Sequence, residues 1–223
     1  MTSVRLIAIT KPVVDELNSC GELLAYCARV SNPSNQLNHD TAEKLLKYMT
    51  DHQHWSPFEM VSATIEVITT RDIGRQLLRH WSFKFQEFSQ RYAEVTQPLI
   101  IREARLQDTK NRQNSIELYD DEVDLKQGWQ IVQESVANTA LTAYNWAIEH
   151  GIAKECARVV LPEGMTESRM YVAGNLRSWI HYVLLRSGNG TQKEHREIAE
   201  ACREILINEV PELKGVLNAE EEK

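Results

Sequence analysis

The stretch SATIEVITTRDIGRQLLRHWSFKFQEFSQRY, residues 62–92, joins three local patterns that together decide the fold class. Its first part, residues 62–70, alternates its side chains as a strand does, since successive residues of a strand point to opposite faces. Residues 71–80 predict a helix, with Thr69 and Asp72 as a capping pair at its start. The remainder fits neither period, because its first two phenylalanines alternate and the third breaks the phase. We expect it to be extended or irregular.

The rest of the chain predicts one more strand and several helices. The strand is VRLIAIT near the N-terminus, and the predicted helices cover about residues 13–30, 41–49, 121–150, 168–185 and 191–208. Asp40 or Thr41 is expected to cap the second of these helices. The first helix is expected to bury one side, formed by Val14, Leu17, Leu23, Leu24 and Tyr26.

These elements predict an α+β fold, a small antiparallel sheet surrounded by helices, with helix in the majority. No internal repeat and no linker interrupts the sequence, so we expect a single domain over residues 1–223. The terminal AEEEK is expected to be a solvated tail.

Composition narrows the function classes. The formal net charge of −7 argues against broad, nonspecific nucleic-acid binding. No apolar run approaches the roughly 20 residues of a membrane span, and MTSVRLIAIT is too short and mixed for a secretory signal, which predicts a cytoplasmic protein. Cys20, Cys27, Cys156 and Cys202 lie far apart without a CxxC pair, so we expect reduced, packed thiols.

A basic island interrupts this acidic chain. Between Arg71 and Arg105 lie seven basic and four acidic residues, a net charge of +3, which favours a small anionic ligand over a polymer. Arg71, Arg75 and Arg79 are spaced by four and form one stripe on the predicted helix. The ordinary alternative is a solvated basic edge whose arginines pair with acidic neighbours, and spacing alone leaves both interpretations open.

Two further segments carry polar groups in ordered positions. In an extended segment Glu87, Ser89 and Arg91 would point the same way, offering an acceptor, a hydroxyl and a bidentate cation suited to a phosphorylated sugar or nucleotide. In GNLRSWIHYVLLRSGNG, residues 174–190, a helix would carry polar side chains on two opposed sides. Such a helix either bends or is used by two subunits.

Several familiar chemistries are missing from the sequence. His52 and His54 alternate, but no third ligand is near and HExxH is absent, so a metal site is not expected. There is no GxGxxG after a strand, no Walker loop, no GxSxG elbow and no visibly activated cysteine. Composition and spacing alone predict no more than an anion-binding α+β protein.

The segment RQLLRHWSFKFQEFSQRY, residues 75–92, resembles the signature RQxxRHRxxSxNExSxRY of the flavin-dependent thymidylate synthases. ARVS, HWSPFE, NRQNS, ARVVLP and the NLR…LLR helix resemble further landmarks of that family in the same order, over most of the chain. The resemblance implies the family's α+β fold and a homotetramer with FAD bound where subunits meet. It also implies reductive methylation of dUMP to dTMP, with methylenetetrahydrofolate as carbon donor and NADPH as reductant.

The resemblance also assigns residues position by position. Arg186 would be catalytic, because a fixed cation polarises the pyrimidine and stabilises negative charge developing there. His54 would shape the folate and flavin end of the pocket. The residues expected to contact dUMP are Gln76, Arg79, Glu87, Ser89, Arg91, Arg158 and Arg186. Those expected to line the FAD site are Ser31, Ser56, Arg79, His80, Trp81, Glu87, Asn175, Arg177 and His181.

Three departures from the family pattern matter. Trp81 stands where arginine is usual, and an indole can stack on a ring but cannot pair with phosphate. Gln86 replaces an asparagine, and His181 stands where asparagine is expected. The alternatives are a weakly active homologue, another nucleotide-modifying enzyme on the same scaffold, and a non-catalytic module that binds an acidic protein or RNA segment.

Overall fold

The computed structural model describes residues 2–119 and 121–218. Its strands form a four-stranded sheet and a separate two-stranded sheet, and every paired neighbour is antiparallel. The spatial order of the larger sheet is β1 (Ser3–Ile9), β2 (Ser62–Thr70), β6 (Glu167–Asn175) and β3 (Lys84–Glu87). The smaller sheet pairs β4 (Arg105–Gln107) with β5 (Ser115–Glu117).

Helices occupy far more of the chain than strands and surround the larger sheet, which confirms the predicted fold class. The α-helices are α1 (Cys20–Ala28), α2 (Ala42–Asp51), α3 (Arg71–Leu77), α4 (Val123–Glu149), α5 (Lys154–Ala157), α6 (Leu176–Arg186), α7 (Lys193–Glu209) and α8 (Lys214–Leu217). Short 3₁₀ turns cover Pro33–Asn35, Ser56–Glu59, Arg158–Val160 and Pro211–Leu213. Across residues 2–119 and 121–218, none of the helices combines the length and the apolar character needed to cross a bilayer.

The prediction of a helix over 168–185 is wrong in its first half. That part is β6, which lies between β2 and β3 and hydrogen-bonds to both. Met170 and Val172 are fully buried while Tyr171 between them is partly exposed, the alternation of a strand. The helix begins only after Asn175, whose side-chain oxygen accepts a hydrogen bond from the backbone N–H of Ser178.

The predicted start of the first helix is also wrong. The helix α1 begins at Cys20, where the Ser19 hydroxyl accepts from the backbone N–H of Glu22. Leu17 and Leu24 are buried as expected, but Val14 lies before the helix and is 46% exposed.

Two predicted caps are absent. Thr41 precedes α2, but its hydroxyl accepts from Arg29 rather than from the backbone. Thr69 is buried in β2 and does not cap α3, whereas Asp72 accepts from Arg102. The predicted tail, residues 219–223, lies outside the described residues.

The main core lies between the larger sheet, α6 and α7, where Trp179 and Tyr182 are almost completely buried. A smaller apolar cluster lies along one side of α4, around Tyr144. All four cysteines are free. Cys20 and Cys202 are buried as predicted, but Cys156 on α5 is exposed, so the expectation that every thiol is packed is wrong.

Gly174 allows the buried Phe83 ring to lie directly against β6, because a Cβ at this position would overlap that ring. Gly174→Ala is therefore expected to destabilise the fold by about 1–3 kcal/mol through overpacking. Chemical denaturation measures the change in the free energy of unfolding.

Gly128 provides the matched control, since it lies on α4 with nothing within 4 Å of the added Cβ. Gly128→Ala should stabilise the chain by up to about 1 kcal/mol, because alanine is the better helix former. Equal effects of the two substitutions would contradict this account of the packing at β6.

Candidate active site

Two of the predicted site residues, His80 and Arg186, contact each other at the C-terminal end of α6, and a third, Gln76, lies where α3 packs against α7. Gln76 is in the last turn of α3, His80 follows that helix, and Arg186 is the last residue of α6. Arg186 donates from Nε to Nε2 of His80 at 2.9 Å. Because a guanidinium can only donate, the Nε2 of His80 must be unprotonated and its ring proton lies on Nδ1.

The surroundings keep His80 neutral. The Tyr182 ring stands edge-on to it at 5.0 Å between centroids. Burial lowers the pKa of His80 from 6.5 to about 4, and the positive charges of Arg186 and Arg79 act in the same direction. Arg186 is thus a cation held by a neutral ring rather than by a carboxylate.

A buried histidine that sequence reasoning did not single out completes this cluster. His195, on α7, is 0% exposed, and its ring centroid lies 6.1 Å from that of His80 and 5.7 Å from that of Tyr182. Burial lowers the pKa of His195 to about 3, helped by the charge of Arg186. The only sequence signal was its position on the apolar face of α7, together with Ile198, Ala199, Cys202 and Leu206.

Four of the nine predicted FAD residues, namely Ser56, Asn175, Arg177 and His181, lie on α6 or beside its first turns. Arg177, in the first turn of that helix, donates to Glu59 in the 3₁₀ turn that begins at Ser56, at 2.5 Å. The His181 ring lies 4.3 Å from the Trp55 ring, centroid to centroid. Burial, then the charge of Arg177, lowers the pKa of His181.

The end of β3 and the turn after it form a third group. Glu87 accepts from the Ser168 hydroxyl at 2.7 Å and lies 3.5 Å from the Arg71 guanidinium. The strand ends at Glu87 and the chain then turns, with the backbone carbonyl of Ser89 accepting from two later N–H groups. The expectation that strand alternation aligns Arg91 with Glu87 is therefore wrong. Arg91 instead lies 3.4 Å from Glu155, next to α5.

The remaining predicted residues are dispersed in the single chain. Trp81 is 90% exposed, and Arg79 beside it is also exposed. Ser31 follows α1 at the surface, and Arg158 is half-buried in its 3₁₀ turn.

Ion pairs divide the arginines into two classes. Five arginines of the basic island pair with carboxylates, as the alternative of a paired basic edge predicted: Arg71 with Glu87, Arg75 with Glu163, Arg91 with Glu155, Arg102 with Asp72, and Arg105 with Glu194. Among the described residues, Arg79, Arg158 and Arg186 form no ion pair with a carboxylate. These three belong to the predicted nucleotide set, so their charges are available to an anionic ligand.

The described residues contain no cluster of three or more His, Cys, Asp or Glu side chains placed to hold a metal ion. Burial raises the pKa of the thiols of Cys20, Cys27 and Cys202. Because the thiolate is the nucleophile, such thiols are poor candidates for covalent catalysis.

Comparison with known proteins agrees with the landmarks in the sequence. The model of a family described as thymidylate synthase complementing protein matches residues 12–212. The flavin-dependent thymidylate synthase of Synechocystis sp. is 47% identical over 217 residues, which cover 96% of this chain and 98% of that protein. The chain belongs to the flavin-dependent thymidylate synthase family. A probable flavin-dependent thymidylate synthase of Paramecium bursaria Chlorella virus 1 is 50% identical over 216 residues, covering 97% of this chain and 99% of that one.

Solved structures are similar to this chain over nearly its whole length. The UMP/dUMP methylase PolB from Streptomyces cacaoi, bound with 5-Br UMP, superposes with a TM-score of 0.81 at 25% identity, covering 98% of this chain and 94% of that chain. The same enzyme bound with 5-Br dUMP gives a TM-score of 0.80 at 26% identity, covering 98% and 95%.

The two buried histidines make stability depend on pH. The unfolded chain protonates these rings near pH 6.5, whereas in the folded protein His80 does so at about 4 and His195 at about 3. Between these values the unfolded state binds more protons, so the free energy of unfolding should decrease as the pH falls below 6.5. The part due to His195 is at most about 1.4 kcal/mol per pH unit.

Chemical denaturation between pH 7 and pH 4 tests this dependence. His195→Asn should give a shallower decrease than the unsubstituted chain, and His150→Asn, at an exposed position, should not. Identical slopes for all three proteins would show that His195 does not resist protonation.

Proposed function

We propose that this chain methylates dUMP to dTMP reductively, with FAD as the bound cofactor, methylenetetrahydrofolate as carbon donor and NADPH as reductant. The observation that carries this proposal is the hydrogen bond from Arg186 to a neutral His80, which leaves a guanidinium uncompensated at a family landmark. Relatives at 47% and 50% identity are called flavin-dependent and probable flavin-dependent thymidylate synthases. PolB, of the same fold, is called a UMP/dUMP methylase.

The nucleotide would be held mainly by arginine. Arg79 and Arg158, which lack a carboxylate partner in the described part of the chain, suit the dUMP phosphate, since a guanidinium binds phosphate in a bidentate manner. Arg186, hydrogen-bonded to His80, would lie against the pyrimidine and stabilise the negative charge that develops there during methylation. Glu87, at the end of β3, and Ser89 and Arg91, in the turn that follows, would complete the nucleotide site.

The residues at the start of α6 fit a flavin. Arg177 lies beside the positive end of that helix, where a pyrophosphate is favoured, and its side chain remains 45% exposed despite its bond to Glu59. The exposed indole of Trp81 can cover one face of a planar ring. Ser31, Ser56, Asn175 and His181 would complete the FAD site, with His54 near the folate. When bound, FAD supplies the hydride that it receives from NADPH.

A second copy of the chain is the proposed partner that completes the site. Within the described residues, no hydrogen bond or ion pair joins the surroundings of Arg91 to those of Arg186. The long α4 also exposes apolar side chains at the spacing of a packing helix, namely Leu125, Trp129, Val132, Val136 and Trp146. An apolar helix face of this length favours association, and we propose a homotetramer of single-domain protomers. The free thiols suit a reducing compartment, the cytoplasm.

Substituting Arg186 tests the catalytic assignment. Arg186→Met should lower kcat for dTMP formation by about 100-fold, because one fixed donor to a developing anion is lost. Arg75→Gln removes an exposed arginine paired with Glu163 and should change kcat less than about twofold. The assay measures dTMP from dUMP, methylenetetrahydrofolate and NADPH in the FAD-loaded protein.

The same assay separates the alternatives. Flavin absorbance that NADPH bleaches, without dTMP, would indicate a different nucleotide-modifying enzyme, and UMP is the substrate to test next because PolB is named for both nucleotides. Slow dTMP formation would indicate a weakly active homologue. A colourless protein that takes up no added FAD, and whose affinity for RNA falls steeply with salt, would favour the non-catalytic module.

A further inference from the structure

The side-chain amide of Gln76 is hydrogen-bonded at both ends. Its Nε2 donates to Oε1 of Gln192 at 2.8 Å, and its Oε1 lies 3.3 Å from Nδ1 of His195. The chain of contacts continues, because Nε2 of Gln192 donates to Oε2 of Glu194 at 2.9 Å. A residue of the proposed nucleotide site is thus tied through α7 to a carboxylate.

The carboxylate of Glu194 determines which group donates and which accepts in each of these hydrogen bonds. Glu194 accepts from the guanidinium of Arg105, and a carboxylate paired in this way can only accept. Gln192 must therefore turn its NH₂ group towards Glu194 and its oxygen towards Gln76. For the same reason Gln76 turns its NH₂ group towards Gln192, and its oxygen faces His195.

This order leaves one tautomer for His195. Its Nδ1 must carry the proton in order to donate to the oxygen of Gln76, so Nε2 is the unprotonated nitrogen. That Nε2 is buried without a partner in the described residues. A buried acceptor without a partner is tolerated more readily than a buried N–H without one. The tautomer that this series of hydrogen bonds requires is therefore also the one that suits the buried position of Nε2.

We propose that His195 is a positioning residue, which fixes the Gln76 amide so that its second N–H faces the nucleotide as a hydrogen-bond donor. The inference rests on the proposed function, in which Gln76 contacts dUMP. A donor held in this way favours the acceptor oxygens of the substrate, in its phosphate or its pyrimidine carbonyls. A rotated amide would present its own oxygen and repel them.

Three substitutions of His195 separate positioning from packing. His195→Phe keeps the ring but removes the donor, and should weaken dUMP binding about three- to tenfold. His195→Asn places an amide nitrogen near the Nδ1 position and should restore most of the affinity. His195→Gln places its amide near the Nε2 position and should not restore the affinity for dUMP. Calorimetric titration of dUMP into the FAD-loaded proteins measures Kd, and thermal unfolding measures stability.

The Gln76→Ala background supplies the second control. If His195 acts through Gln76, His195→Phe should weaken dUMP binding in the parent protein but not further in Gln76→Ala. The kcat at saturating dUMP should change much less than KM. A purely structural role would lower affinity equally in both backgrounds.

The outcomes distinguish the inference from the function on which it rests. Unsubstituted protein that binds no dUMP would contradict the proposed function. Unsubstituted protein that binds dUMP, with a folded His195→Phe of equal affinity, would overturn the inference alone. If His195→Phe does not fold, equal affinity of His195→Asn and His195→Gln overturns it.

Discussion

The hydrogen bond from Arg186 to His80 is the constraint on which the candidate site depends. A guanidinium offers no acceptor, so the bond exists only while His80 is neutral, and burial keeps the ring neutral by lowering its pKa to about 4. The site thereby contains a cation that is oriented without being neutralised. A carboxylate in the place of His80 would hold Arg186 equally well but would cancel the charge that an anionic substrate needs.

The core explains why this arrangement is possible. The rings of Tyr182 and His195 pack around His80. The start of α7 places Gln192 next to Gln76 and Glu194 next to Gln192. The Arg186 guanidinium fixes the tautomer of His80, and the Glu194 carboxylate fixes the orientation of the Gln192 and Gln76 amides. Such an ordered polar network is rigid before a substrate arrives, which is the condition for electrostatic stabilisation of a transition state.

The sequence predicted those features that depend on local pattern or on recognisable motifs. The strand β2 and the long α4 follow from their own periodicity, and the family landmarks identified Arg186 and His80. The strand β6 was missed because it is defined by pairing with β2 and β3, both remote in sequence. His195 was missed because its partner Gln76 is 119 residues away, and on α7 alone it is one more side chain of a buried face.

We propose that one protomer supplies Arg186 and its neighbour supplies Arg91 to the same site, since a single chain places them in separate surroundings. Co-assembly of two inactive variants, Arg91→Ala and Arg186→Ala, tests it directly. Mixed oligomers should regain dTMP formation, because some sites then receive both native arginines from different protomers. Mixtures as inactive as the separate variants, with subunit exchange demonstrated, would contradict the shared site.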